Sequence, residues 1–226
     1  ELLRPGLTQL EKLCKVPVLG VVPYMDVRLD DEDSLSIDNS ITMQKGLGDA
    51  ASRIGRQVSI ATLDVAVIRF PHISNYTDIT PLTLHPAMGV RYVDRVEDMG
   101  TPDMVILPGT KNTMGDLSWL QNNGLADAIK DFCDNGVFIL GICGGYQMLG
   151  ESIEDPDGVE DGGSVFGLSL LPVKTRLCKE KTTCRCDMQG AGCFNDVHIR
   201  GYQIHNGVTE VFGGGTFGQI NSDGNH

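Results

Sequence analysis

A basic face is the first thing this sequence lacks. Its 226 residues carry 18 Lys and Arg against 30 Asp and Glu, a net charge of −12, and no basic stripe runs along any segment. Nucleic-acid binding depends on such a face, so the composition argues against a nucleic-acid partner. Long apolar runs are missing too: neither an N-terminal signal nor a membrane-spanning stretch occurs. Cysteine is present, but its seven copies are odd in number and irregularly spaced, without the paired C-x2-C knuckles of structural zinc sites. A secreted disulfide framework is therefore not expected, and Cys178, Cys184, Cys186 and Cys193 read as unpaired thiols in an irregular, insertion-like segment rather than as a metal site. The expected setting is cytoplasmic and reduced. No G-x-x-x-x-G-K-[ST] phosphate loop occurs either.

What remains is an ordinary globular composition, 41% hydrophobic and 21% charged, long enough for one domain with an appendage. The most informative stretch is Val137 to Gly150, VFILGICGGYQMLG. Four apolar residues, Val137 to Leu140, run into Gly141-Ile142-Cys143-Gly144-Gly145, and a helix-compatible segment follows from Tyr146 to Leu149. That order reads as strand, tight turn, helix, with Cys143 at the apex. Such elbows lift the central side chain off the sheet into a cleft, and flanking glycines tolerate the crowding. A helix beginning just after the cysteine favours the thiolate, the attacking species. The Gly144 amide, next in the chain, would face a developing oxyanion. The plainer alternative is a buried cysteine in a glycine-rich turn.

Around the elbow the pattern is α/β. Leu3, Leu7, Leu10 and Cys14 predict a short amphipathic helix ending near Lys15, and Val16 to Val22 a short edge strand between Pro17 and Pro23. Asp30-Asp31-Glu32-Asp33 reads as a solvated acidic loop, and Ile41 to Ile54 as a helix weakened by Gly46 and Gly48. Strands are predicted at Leu63–Phe70, Val90–Val93 and Met104–Leu107, then a helical stretch from Leu117 to Cys133 broken at Asn123-Gly124. Alternating strands and helices imply a mainly parallel sheet with flanking helices and ligands at the strands' C-terminal ends. Two other strand ends therefore matter. Leu107-Pro108-Gly109-Thr110 could supply a second oxyanion amide from Gly109 or Thr110, and the Pro71–Asp78 loop could touch a ligand.

A cysteine nucleophile also wants a base, and five histidines are available: His72, His85, His198, His205 and His226. Spacing does not choose among them. His205 lies in a strand-like segment, GYQIHNG, beside Tyr202.

With these segments in hand, the chain resembles the glutamine amidotransferase domain of the cobyric acid synthases, in the class I (triad) glutaminase group. The matching stretches are VPVLGVVPYMDVRLDDEDSL, VAVIRFPHISNYTDITPL, DMVILPGTKNTMGDL, GICGGYQMLG and GYQIHNGVT, spread over most of the chain. FPHISNYTD and DEDSL set it apart from the related cobyrinic acid diamide synthases. The resemblance implies a flavodoxin-like α/β fold in which Cys143 hydrolyses glutamine through a thioester and ammonia passes to an ATP-activated corrin carboxylate. It also implies that ATP and Mg belong to an N-terminal domain absent here. Residues 1–56 are then the end of that ATP-dependent synthetase domain plus a linker, and 57–226 the amidotransferase domain. In the family the base is a further histidine in a C-terminal Gly-Thr-Tyr-x-His-Gly stretch. This chain ends at Asn221–His226 where that stretch would begin, so a domain truncated before its base is expected, with His226 a tag or cloning remnant. His205 matches the family's other histidine, structural or substrate-related. Two other readings compete: a docking module that holds the corrin or the ATP domain without catalysis, and a cysteine peptidase or acyl hydrolase on a related fold.

Overall fold

The computed structural model describes residues 4–21 and 63–221. The chain divides into two compact units, Glu1–Asp31 and Glu32–His226. The acidic loop at 30–33, the helix expected over 41–54, the boundary at 56/57 and His226 all lie outside the described residues. In the first unit, α1 runs from Arg4 to Cys14. It stops where predicted, at Lys15, whose φ of 54° breaks the helical backbone. The strand expected next does not form over residues 16–21. Pro17 removes a ladder donor, and Val16, Leu19 and Val21 stay exposed, so nothing there drives pairing.

The second unit holds a parallel sheet of four strands: β1 (Leu63–Ile68), β2 (Met88–Val93), β3 (Met104–Leu107) and β4 (Phe138–Gly141), in the order β2-β1-β3-β4. A short helix, α2 (Thr80–Thr83), precedes β2. Helices α3 (Thr113–Asn122) and α4 (Leu125–Asp134) lie between β3 and β4. Gly124, at φ 75°, makes the predicted break between them. Side chains on the central strands divide by parity. Ala66, Ile68, Val105 and Leu107 join Leu117, Leu120 and Ile129 in one cluster, while Val65, Val67 and Ile106 join Ile79 in another. Both faces are covered, so β1 and β3 read as unbroken apolar runs rather than alternating ones. Leu120 is fully buried. Leu120→Ala is expected to cost about 2–5 kcal/mol, read as a lower urea midpoint with an unchanged slope.

After β4 comes α5 (Gly144–Met148), and then a second, mostly antiparallel sheet. It contains β5 (Ser152–Asp155), β6 (Gly163–Phe166), β7 (Val173–Gly190), β8 (His198–Val211) and β9 (Gly218–Asn221). Here the sequence reading needs correction. The segment holding Cys178, Cys184 and Cys186 is not an irregular insertion but part of the 18-residue β7, paired with β8 along most of its length. Its outer half is exposed, so no apolar alternation marks it, and the antiparallel ladder to β8, the next strand, holds it instead.

One loop of this sheet fixes the start of α3. The buried Asp155 carboxylate accepts amide hydrogen bonds from Val159, Glu160 and Gly162 at 2.8–2.9 Å. Glu160, so placed, accepts the Met114 amide at 2.9 Å. Desolvation pushes the Asp155 carboxyl up, but these backbone donors outweigh it and hold it below the usual carboxylate range. A lowered folded pKa adds stability above the unfolded value of about 3.9, and that stability is lost as pH falls through the folded value. Melting curves from pH 7 to pH 2 are expected to show an acid loss in the wild type that Asp155→Asn lacks, the variant being less stable at neutral pH.

Candidate active site

The elbow is built as its glycines require. Between β4 and α5, Cys143 has φ 52° and ψ −112°, a backbone conformation costly for a residue with a side chain. Ile142 N–H donates to Leu107 O at 2.8 Å and Gly145 N–H to Ile142 O at 2.9 Å, tying the turn to the end of β3. A Cβ on Gly145 would lie 2.0 Å from Leu107 O, and one on Gly141 2.6 Å from the Tyr146 backbone. Only glycine fits at either place. The crowding on the inner side leaves the Cys143 side chain exposed on the outer one.

Both expected oxyanion residues lie against it. A Cβ built on Gly109 falls 3.7 Å from Cys143 Cβ, and one built on Gly144 falls 2.9 Å from Thr110 Cγ2 and 3.5 Å from Thr110 N. The loop after β1 reaches the same place, with Ser74 O and Oγ each 3.5 Å from that Gly109 position. Three strand ends thus meet at one thiol.

Cys143 opens into a cavity of about 550 Å³ that it shares with Tyr146, Gln147, Thr182, Gln203 and His205. A second cavity of about 560 Å³, lined by Glu151, Phe166, Pro172 and Lys174 among others, contains no cysteine or histidine. The strained, exposed thiol selects the first. Within it, His205 has both ring nitrogens engaged: Nδ1 lies 3.0 Å from Gly207 O and Nε2 2.7 Å from Gln203 Nε2. A carbonyl only accepts, so Nδ1 carries the proton and Nε2 accepts from the Gln203 amide. The ring is held in a fixed orientation. Tyr202, its neighbour in the sequence reading, is not brought to this cavity. It is 66% exposed, stacks with the Arg185 guanidinium at 5.6 Å, and lines a smaller cavity of about 210 Å³ with Cys186 and Ile220, of the Cys143 cavity's residues only Gln203 reaching both. Strand alternation sends residues 203 and 205 to one face and 202 to the other.

The remaining histidines are placed elsewhere. His72 pairs with Asp116 at 2.8 Å, His85 Nδ1 accepts from the Ala87 amide at 3.3 Å, and His198 is exposed on β8. On β7 the Cys184 and Cys186 sulfurs are 3.6 Å apart in a thiol–thiol hydrogen bond, and both lie near Gln203 Oε1, at 3.5 and 3.7 Å, which accepts from whichever thiol proton is left free. The hydrogen bond with Cys186, with desolvation, holds the Cys184 thiol above its ordinary range. Among the described residues no three His, Cys, Asp or Glu side chains converge to hold a metal ion.

Sequence reasoning missed Gln147, Thr182 and Gln203; Ser74 belongs to the Pro71–Asp78 loop that it did single out. Gln147 sits four residues after Cys143 on the helix that leaves the elbow, a spacing that could have flagged it. Thr182 and Gln203 reach the cavity through the β7–β8 register, which pairs Thr182 with His205 and Cys184 with Gln203.

Comparison with known proteins agrees with this geometry. Residues 64–226 match the model of the CobB/CobQ-like glutamine amidotransferase domain. The chain is 43% identical over 218 residues to a cobyric acid synthase of Yersinia enterocolitica, covering 93% of this chain and 40% of that protein. It is 40% identical over 210 residues to one of Clostridium acetobutylicum, covering 92% and 39%. The chain thus spans about two fifths of the length of the curated relatives it matches. A solved structure of PurLQS from Thermotoga maritima overlays 65% of this chain and 68% of its own, at TM-score 0.47 and 16% identity. The parallel sheet, the cysteine elbow at its C-terminal edge and the matched stretch place this chain in the CobB/CobQ-like glutamine amidotransferase domain family.

Proposed function

We propose that this chain hydrolyses glutamine at Cys143 and supplies the ammonia for amidation of corrin side-chain carboxylates in cobalamin biosynthesis, as the glutaminase part of a cobyric acid synthase. One observation carries the reading: a strained, exposed cysteine at the C-terminal edge of a parallel sheet opens into a cavity walled by amide and imidazole groups. That cavity suits the short, polar glutamine side chain.

In this mechanism the Cys143 thiolate adds to the carboxamide carbon, and negative charge gathers on its oxygen. The amides at Gly144 and at Gly109–Thr110 receive that charge. The C–N bond then breaks, ammonia leaves with an added proton, and a thioester remains on Cys143. Water attacks the thioester carbon, releasing glutamate and the thiol. His205 holds Gln203 in register rather than taking the proton, because its Nε2 lone pair is already used. The proton acceptor is then the histidine that the family carries in its C-terminal Gly-Thr-Tyr-x-His-Gly stretch. ATP, Mg and the corrin belong to a partner domain of the same enzyme. This chain offers no phosphate loop of the G-x-x-x-x-G-K-[ST] type.

Treatment with a diazo-ketone analogue of glutamine followed by peptide mass spectrometry tests the reading. Label on Cys143, blocked by glutamine, is expected. Label spread over Cys178, Cys184 and Cys186 with Cys143 spared would overturn it.

A further inference from the structure

Asp116 stands in the first turn of α3 with 0% of its surface exposed, although nothing in the thioester chemistry uses it directly. Its carboxylate gathers two loops that leave different strands. From the loop after β1, the His72 ring sets Nδ1 2.8 Å from Oδ1, and the His72 amide donates to Oδ2 at 3.3 Å. From the loop after β3, the Thr110 hydroxyl donates to the same Oδ2. The hydroxyl also lies 3.1 Å from His72 O, but its single proton goes to the closer, charged acceptor. A buried carboxylate only accepts, so His72 Nδ1 carries hydrogen and Nε2 is the outward atom.

The two loops are also stitched by backbone. Ser74 N–H donates to Gly109 O at 2.9 Å, and Lys111 N–H to His72 O at 3.0 Å, around an Ile73–Thr110 bridge. The peptide held in this way is the one lying against Cys143 and Gly144. The Asp155 loop steadies α3 through Glu160, so the carboxylate sits on a fixed base. Three donors and the helix N-terminus together offset the desolvation of its charge.

We propose that Asp116 is a positioning residue for the oxyanion site: through Thr110 and His72 it fixes the Gly109–Thr110 peptide beside the Cys143 thiol. This rests on the glutaminase reading and deepens it. The consequence is specific. Loss of the clamp weakens binding of charge on the tetrahedral oxygen without changing thiol alkylation, which needs no oxyanion donor.

The test uses the full chain as wild type, Asp116→Asn and Thr110→Val, with Thr110→Ser as the conservative rescue. Thr110→Val keeps the methyl against Gly144 and the fold while removing only the hydroxyl. Affinity for glutamate γ-semialdehyde, which forms a hemithioacetal with the thiol, is measured beside the rate of iodoacetamide alkylation of Cys143. Hydrogen exchange is followed at the Ser74 and Lys111 amides. Aldehyde affinity is expected to fall about 100-fold in Asp116→Asn and Thr110→Val, the effect of a displacement of about 1 Å. Alkylation stays within about twofold, exchange at both amides quickens, and Thr110→Ser recovers most of the affinity. Unchanged aldehyde affinity in both variants, with only a lower melting temperature, would overturn the inference and leave Asp116 a structural anchor. A wild type that is alkylated at Cys143 yet binds no aldehyde would overturn the glutaminase reading, and this inference with it.

Discussion

Cys143→Ala is expected to lower glutamine hydrolysis by at least about 1,000-fold while leaving glutamine binding within a fewfold of wild type. The nucleophile forms the thioester, and Thr182, Gln203 and His205 in the cavity carry no thiol to replace it. Ammonia release checks the first half of the expectation and titration calorimetry the second. Activity in this chain alone that disappears in Cys143→Ala would move the base to a histidine within it. Cys143→Gly separates strain from chemistry. At φ 52° and ψ −112° a side chain costs about 1–3 kcal/mol, so the glycine variant is expected to be equally inactive yet more stable by an amount in that range. A variant no more stable than wild type would mean that the elbow is relaxed and that its geometry is not held against strain.

The elbow was legible because every signal for it is local. Four apolar residues, glycines at 141, 144 and 145 and a cysteine between them describe the turn without any partner. The α3–α4 break was legible for the same reason, since Gly124 alone supplies the left-handed backbone. Residues that act from another strand were hidden. Gln203 and Thr182 join the cavity only through a register running over more than ten pairs and shifted between Arg176 and Lys181. No local pattern encodes such a shift. Tyr202 shows the cost of reading a motif without its register: GYQIH places the tyrosine beside the histidine in sequence and on the other face in space. Asp116 was hidden differently. An aspartate in a helix's first turn is a common dipole partner, and only the folded loops show that it holds His72 and Thr110. The Val16–Val22 strand erred in the other direction, an apolar run whose described part, residues 16–21, has no ladder.

Gly145→Ala is expected to be among the most disruptive single methyls in the described residues. The added carbon would stand 2.0 Å from Leu107 O and 2.6 Å from Leu107 C, both backbone atoms of β3. No rotamer relieves this, since a Cβ has none, and the obstacle cannot swing away as a flexible side chain could. Either α5 lifts off the sheet or β3 shifts. Leu107 O also accepts the Ile142 amide at 2.8 Å, so lifting the helix breaks the bond that sets the elbow. Moving β3 instead disturbs Gly109 and Thr110, two and three residues on, along with the fully buried Val105 and Ile106. The expected loss is more than about 4 kcal/mol, beyond the usual range for one substitution. Gly136→Ala supplies the comparison. Its φ of 84° makes a side chain strained, but nothing lies within 4 Å of the new carbon, so a cost of about 1–2 kcal/mol is expected. Urea unfolding of the two variants side by side measures the difference. Gly145→Ala that unfolds within about 1 kcal/mol of Gly136→Ala, about a factor of five in the folded-to-unfolded ratio, would show that the elbow yields easily and that its crowding does not fix Cys143. A Gly145→Ala chain that unfolds early, and whose thiol loses its preference for glutamine-like electrophiles in whatever fraction stays folded, would show the opposite. In that case the contact of α5 with the end of β3 aims the thiol as well as stabilising the fold.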